Sequence, residues 1–180
     1  MGKHPRTRLG FNDATTEPNT INEWWDESPE ANIGIPTGLP TGLMVVDVDA
    51  DKGGLDTWGE WLDINGVVNT KSSITGGGGN HYLFLTNGQS FSNSVQKLGQ
   101  GIDIRGDGGY FVAPPSLHES GQLYEWEGNC EAISLVPGWL VEKYRKANFR
   151  SNDTRTQTGQ LPDYLFGDIS EGSRDETLTR

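Results

Sequence analysis

Short apolar runs separated by glycine-rich and polar segments dominate the hydrophobic pattern of this 180-residue chain. The run from Leu43 to Val48 is almost continuously apolar, which is typical of a buried strand. Leu55, Trp58 and Leu62 recur instead at helical spacing, which predicts an amphipathic helix with the tryptophan in the core. Strands are predicted near residues 32–35, 43–49, 70–75, 80–86, 101–105, 109–113 and 122–126, and helices near 20–25, 54–64 and 137–144.

This mixture of elements predicts an α+β fold whose sheet presents acidic side chains at one end. Residues 1–19 are polar and predict an extended arm, and Thr20 to Glu23 fits a capping box that opens the first helix. Residues 147–163 are rich in Asn, Ser, Thr and Gln and predict a linker. The expected organisation is a first domain over residues 1–146, the linker, and a truncated helical segment over residues 164–180.

Two acids at the end of the central apolar run are the first candidates for chemistry. Asp47 and Asp49 are two residues apart on a predicted strand, so their side chains point to the same face. Two carboxylates so placed repel each other, and a divalent cation would relieve the repulsion. Removal of one carboxylate from the metal-free protein is therefore expected to stabilise the fold. The alternative is a strand that ends in solvated acids.

Two further segments carry ionisable side chains on predicted strands. His81 follows the glycine run 76–79, where the absence of Cβ atoms would let a backbone or a phosphate approach. Asp103 lies between two isoleucines, and Arg105 shares its face. Both have structural alternatives, because Arg105 alone could pair with Asp103 and His81 could be a hydrogen-bonded structural residue.

In this order, three short motifs resemble those of the archaeo-eukaryotic primase superfamily: Asp47-Val48-Asp49, Gly79-Asn80-His81 and Ile102-Asp103-Ile104. The closer likeness is to the primase-polymerase domain of phage and plasmid replication proteins. It is carried also by Gly-Ile-Asp-Ile-Arg-Gly at 101–106 and Ala-Pro-Pro-Ser at 113–116, and it covers about residues 3 to 145. Gly79 is a departure, since many members have serine there.

The resemblance implies an archaeo-eukaryotic primase-like catalytic domain, with a mixed or antiparallel sheet flanked by helices, acting as a DNA primase or DNA polymerase. It implies a two-metal Mg²⁺ or Mn²⁺ site on Asp47, Asp49 and Asp103, and a catalytic role for these three residues and His81. Nucleotide binding is implied for His81, Arg105, Gly78, Gly79 and Asn80. The implied partners are a single-stranded DNA template, NTPs or dNTPs, and further domains of a longer replication protein, such as a helicase.

Composition limits the kinds of partner, metal site and cellular location that are expected. The net charge of −11 disfavours wrapping a phosphate backbone, so DNA contacts should be local and salt-sensitive. The single cysteine, Cys130, can form neither an internal disulfide nor a cysteine-based zinc site, so no zinc is expected. No signal peptide and no apolar run long enough for a membrane span is visible. A cytoplasmic location is expected, in a bacterial host if a phage or plasmid encodes the protein.

Other functions compete for the same residues. Asp47, Asp49 and Asp51 imitate the start of a calcium EF-hand loop, but Lys52 and Trp58 stand where that loop needs Gly and Glu. The glycine run lacks the Lys and Ser/Thr of a P-loop. Two alternatives remain open at the level of sequence: a metal-dependent nuclease or phosphoesterase, and a non-catalytic module that binds nucleotide or DNA.

Overall fold

The computed structural model describes residues 4–128 and 132–156. The described residues form three α-helices, α1 (Pro18–Glu27), α2 (Gly54–Asn65) and α3 (Gly138–Thr156), and two short 3₁₀ helices, Gly10–Asp13 and Ala50–Lys52. They also form nine strands: β1 (Ile33–Pro36), β2 (Leu43–Val48), β3 (Ser72–Ile74), β4 (Asn80–Leu85), β5 (Ser94–Gly99), β6 (Ile102–Arg105), β7 (Tyr110–Ala113), β8 (Glu125–Trp126) and β9 (Ser134–Leu135).

Seven strands form the main sheet, in the order β5-β6-β2-β4-β3-β8, with β9 beside β4. The strands along this order pair antiparallel, whereas β9 runs parallel to β4. Strands β1 and β7 form a separate antiparallel ribbon. The most apolar strand, β2, lies between β4 and β6 near the middle of the sheet, where both of its faces are covered.

The two faces of the main sheet pack against different layers. On one face, Val46 and Val48 belong to a core that includes Trp58 of α2 and Leu140 of α3. On the other face, Val45 packs in a second cluster that includes residues of the β1–β7 ribbon. Because side chains alternate along a strand, Asp47 lies on the same face as Val45, away from the helices.

The α+β class with a mostly antiparallel sheet and flanking helices is confirmed. Helix α2 occupies the predicted range, and Trp58 lies in the core as expected. Leu55, one of the three residues that define the helical spacing, is 46% exposed, whereas Trp61 is buried in the core. A purely apolar spacing rule does not distinguish these two neighbouring faces of one helix.

The N-terminal segment differs from its prediction. Helix α1 begins at Pro18 rather than at Thr20, and no side chain caps its start, so the capping box was wrong. Proline suits the first helical position because its fixed φ is already helical and its missing N–H has no intrahelical acceptor there. The arm before it is not fully extended, since Gly10–Asp13 forms a 3₁₀ turn.

Two strands and part of a helix were not foreseen. Strands β5 and β9 were missed because one is polar and irregular and the other has only two residues. Helix α3 continues to Thr156, through the first ten residues of the predicted linker. The domain boundaries stay predictions, and both the end of the linker and the segment 164–180 lie outside the described residues.

Candidate active site

One row of polar side chains crosses four neighbouring strands on the face away from the helices. Asp103 of β6 pairs in register with Asp47 of β2, Asp47 with His81 of β4, and His81 with Ser73 of β3. Directly opposed residues of antiparallel strands point to the same face, with Cβ atoms about 5 Å apart. We call these four residues the polar row. The fold thus brings together three predicted site residues that are up to 56 positions apart in the sequence (103 − 47).

Arg105 joins the two carboxylates of the polar row. Its Nη2 donates to Asp47 Oδ2 at 2.8 Å and to Asp103 Oδ2 at 3.0 Å, and its Nε donates to the same Asp47 oxygen at 3.2 Å. The Asp47 and Asp103 side chains are only 22% and 10% exposed. In this low-dielectric position the guanidinium neutralises a repulsion that two opposed carboxylates would otherwise impose on the sheet.

A bulge in the edge strand gives Asp103 a second donor. The register of β5 against β6 shifts between Ser94 and Gly99, and Gln96 adopts a positive φ of 50°. In this conformation the backbone N–H of Gln96 donates to Asp103 Oδ1 at 3.0 Å. Bulges often aim a group at an active site, and this one holds the carboxylate from the side opposite Arg105.

The pKa of Asp47 reflects competing influences. Burial opposes its ionisation, but hydrogen bonding and charge from His81, followed by those from Arg105, outweigh burial and lower the pKa to about 2. The His81 Nε2 atom lies 3.4 Å from Asp47 Oδ1. Asp47 is therefore a carboxylate at neutral pH, which is the form that can bind a cation.

The free energy of unfolding should consequently depend on pH through Asp47. Its pKa falls from an ordinary 3.8 to about 2 in the fold, so between these values the unfolded state binds more protons than the folded state. Its stabilising contribution, about 2 kcal/mol, is therefore complete above its ordinary pKa and is lost as pH falls through its folded pKa. Denaturant unfolding of the parent and of Asp47→Asn in chelator, across this acid range, should show the difference in free energy shrinking by that amount. A constant difference would contradict the assignment.

Asp49 occupies a separate position. It follows the last residue of β2, and its carboxylate, 36% exposed, pairs with Lys52 of the next turn. That hydrogen bond is the main reason why the pKa of Lys52 is raised, and the charges of Asp103 and Asp47 add to it. The field of all three carboxylates therefore reaches Lys52, although Asp49 makes its own contact away from the polar row.

The donor chemistry fits a divalent cation of the magnesium type. In the described stretches, no group of three or more His, Cys, Asp or Glu side chains is arranged to hold a metal ion. The carboxylates of Asp47 and Asp103 nevertheless converge on one guanidinium nitrogen, and Asp49 is bound to an ammonium. Carboxylate oxygens are hard ligands of the kind that Mg²⁺ and Mn²⁺ prefer, and here each carboxylate already binds a cationic side chain. The three-aspartate metal site stays a prediction.

The glycine turn before His81 is explained by close packing. A Cβ atom on Gly79 would lie 2.1 Å from the carbonyl oxygen of Val48, so this turn packs directly against the segment that leads to Asp49. The N–H groups of Gly78 and Gly79 donate to the carbonyl and hydroxyl oxygens of Thr75. Both predicted phosphate donors are therefore engaged within the turn.

Asn80, the third residue of this segment that was predicted to contact the nucleotide, lies at the start of β4. Its side chain lies on the opposite face of the strand from His81, because side chains alternate.

A cavity of about 290 Å³ is lined by two residues of the polar row, Asp47 and His81. Asp47, His81 and Arg105 form its polar side, and its remaining wall is mostly aromatic or backbone, formed by Phe11, Asn93, Gly108, Gly109, Tyr110, Phe111, Val112 and Tyr124. Phe11 and Tyr110 stack with ring centroids 6.1 Å apart and an interplanar angle of 27°. The combination of a charged side and a flat aromatic side suits a ligand that carries both phosphate and a planar ring.

Aromatic rings also fix His81. Its ring stacks on Tyr124 at 5.9 Å and meets the edge of Phe111 at 5.6 Å. Tyr124 stays neutral, because burial, with smaller effects from the charges of Asp47 and Glu119, raises its pKa to about 12. Sequence reasoning missed Phe11, Tyr110 and Tyr124 as site residues. The Gly-Gly-Tyr after Arg105 was a local signal for Tyr110, whereas Phe11 belongs to the arm that was predicted to be extended.

One protein family matches most of the chain. The family described as "Bifunctional DNA primase/polymerase, N-terminal", or Prim-Pol, matches residues 1–139. The chain belongs to the Prim-Pol family. None of the curated proteins searched matches it. Membership confirms the resemblance to primase-polymerase domains and implies a nucleotidyltransferase-like enzyme that binds DNA and nucleotides. Throughout the described segments of this Prim-Pol domain, each helix is too short or too polar to span a bilayer.

Proposed function

We propose that this Prim-Pol domain synthesises primers, extends them as a DNA polymerase, or does both, on a single-stranded DNA template, with NTPs or dNTPs and with Mg²⁺ or Mn²⁺. The observation that carries the proposal is the polar row beside the aromatic cavity, in a chain of the Prim-Pol family. One carboxylate (Asp47), a histidine and an arginine line one ligand-sized space there, and the arginine also contacts the carboxylate of Asp103. Phosphoryl transfer requires this combination of positioning and charge stabilisation.

In this proposal, Asp47, Asp49 and Asp103 hold the metal ions. When bound, the ions would stabilise the negative charge on the attacking and leaving oxygens. Arg105 contacts both Asp47 and Asp103, and cations held by these carboxylates would leave its guanidinium available to a triphosphate. His81 Nε2 points along the same side of the cavity and can donate to a phosphate oxygen.

The aromatic wall would bind the nucleobase. Phe11 and Tyr110 present stacked rings at the cavity, and Arg105 lines the same cavity. A nucleotide whose phosphates contact Arg105 would therefore have its base near this pair. Base stacking on aromatic side chains tolerates any base, as a template-directed enzyme requires.

A primer-synthesis assay tests the proposed function. Single-stranded DNA is incubated with labelled NTPs or dNTPs and with Mg²⁺ or Mn²⁺, and a labelled template is followed in parallel. Products longer than the nucleotide, dependent on metal and template, support synthesis. Shortening of the labelled template without synthesis would instead indicate a nuclease. Nucleotide binding without either product would indicate a binding module.

Replacement of Phe11 by alanine should weaken nucleotide binding more than catalysis. Loss of one stacking ring typically costs 1–3 kcal/mol, so the KM for the nucleotide should rise roughly tenfold while kcat changes less. Leu9→Ala is the matched control, because Leu9 is 53% exposed in the preceding turn and does not line the cavity. Equal KM values for Phe11→Ala and the parent would remove Phe11 from the base site.

A further inference from the structure

Two buried polar atoms on the polar row lack a hydrogen-bond partner within the described residues: the hydroxyl oxygen of Ser73 and Nδ1 of His81. Ser73 is 0% exposed and His81 is 5% exposed, so bulk solvent does not reach them. A buried polar group without a hydrogen bond destabilises the fold, because it has lost its hydrogen bonds to water. Two such atoms at facing positions therefore call for a common explanation.

The sheet places these two side chains beside each other. Ser73 and His81 are direct cross-strand partners, and their side chains lie on the same face. The other groups packed on the imidazole are the ring of Tyr124 and the edge-on ring of Phe111. The second imidazole nitrogen, Nε2, already faces Asp47. Among these contacts, the Ser73 hydroxyl is the polar group on the remaining side of His81.

We infer that Ser73 is a positioning residue for His81: its hydroxyl hydrogen-bonds Nδ1, directly or through one buried water, and keeps Nε2 directed toward Asp47 and the nucleotide phosphates. The inference rests on the proposed function only for the contact between Nε2 and the phosphates.

A serine hydroxyl suits both forms of the imidazole. With neutral His81, the hydroxyl donates to Nδ1, so the ring proton stays on Nε2, where it can be donated to a carboxylate or phosphate oxygen. With the imidazolium, Nδ1–H donates to the same hydroxyl oxygen, and Nε2–H keeps its direction. In both forms Ser73 determines which nitrogen faces the cavity, in the way that second-sphere partners orient histidine ligands.

The test combines a spectroscopic readout with kinetics, at one fixed pH. The protein is labelled with ¹⁵N-histidine, and the His81 ring resonances are identified by their absence in His81→Gln. In Ser73→Ala the Nδ1 resonance of His81 should move, because its hydrogen-bond partner is lost. The KM for the nucleotide should rise roughly three- to tenfold, with a smaller change in kcat. Ser73→Thr, which keeps a hydroxyl and suits a strand, should restore both values.

Ser94→Ala is the matched control. Ser94 is also buried at 4% exposure with an unpartnered hydroxyl, but it pairs with Ile104 and so lies on the helix face of the sheet. It should leave the His81 resonances and the KM unchanged. An unmoved Nδ1 resonance in Ser73→Ala overturns the inference, whatever the activity. A moved resonance with the parent KM supports the hydrogen bond and overturns the proposed contact between His81 and the nucleotide.

Discussion

Replacement of Asp47 or Asp103 by asparagine is expected to lower nucleotide incorporation by roughly a thousandfold or more. Each variant keeps the shape of the side chain and removes a charged oxygen ligand. Loss of a metal-bound interaction worth several kcal/mol in the transition state corresponds to a rate loss of this size, since about 1.4 kcal/mol is tenfold. The measurement is primer synthesis or extension at saturating nucleotide, with Mn²⁺ and with Mg²⁺.

The fold should lose some stability in these variants, contrary to the expectation from sequence. Two neighbouring acids suggested that removing one would relieve repulsion. In the structure Asp47 is ionised with a pKa lowered to about 2, despite burial, because its partners stabilise its charge. Asp47→Asn should therefore reduce the free energy of unfolding by about 2 kcal/mol at neutral pH, which leaves the protein folded enough for the assay.

Asp51→Asn is the matched control for the aspartate series. Asp51 is exposed in the 3₁₀ turn two residues after Asp49, so the variant makes the same charge change close to the site. It should retain the parent's rate, whereas Asp49→Asn should be inactive if Asp49 is a metal ligand. Parental turnover and an unchanged metal response in one aspartate variant would remove that residue from the site. The same result in two of the three variants would refute the polymerase proposal.

The central strands could be predicted because their information is local. The hydrophobic patterns of β2, β4 and β6 are each typical of a strand. Most of the candidate site residues lie within or beside these three strands. The period-two rule also places Asp103 and Arg105 on one face. The resemblance to primase-polymerase motifs grouped Asp47, Asp49, His81 and Asp103 in one site, and three of these four lie together in the polar row.

Register and long-range packing could not be read from the sequence. That Asp47 opposes both His81 and Asp103 depends on strand order, which is decided by contacts distant in the chain. The bulge at Gln96 depends on a positive φ in a polar edge strand that has no apolar pattern. Phe11 reaches the cavity through the path of the N-terminal segment. Each feature of the site that the sequence did not predict thus depends on contacts between segments that are distant in the chain.

Replacement of Arg105 by alanine is expected to destabilise the metal-free protein strongly. Arg105 contacts carboxylates that oppose each other on adjacent strands and are mostly buried. Breaking a buried charge pair by removing one partner costs on the order of 3–5 kcal/mol, because the remaining charge is left uncompensated. Denaturant unfolding in chelator should show this loss. Asp103→Asn in the Arg105→Ala background should recover part of it, since one of the two unpaired carboxylates is removed.

The Arg105→Ala variant also tests whether Arg105 and a divalent cation compete for the same carboxylates. A divalent cation that binds only the folded state stabilises it by an amount that grows with its affinity. In the parent the cation competes with Arg105 for two carboxylates, whereas in Arg105→Ala it does not, so Mn²⁺ should stabilise the variant more than the parent. Lys146→Ala is the control, because its exposed pair with Glu142 on α3 contacts no proposed metal ligand and should contribute no more than about 1 kcal/mol. A smaller Mn²⁺ effect in Arg105→Ala than in the parent would show that these carboxylates do not bind the metal, and that Arg105 is their permanent structural partner.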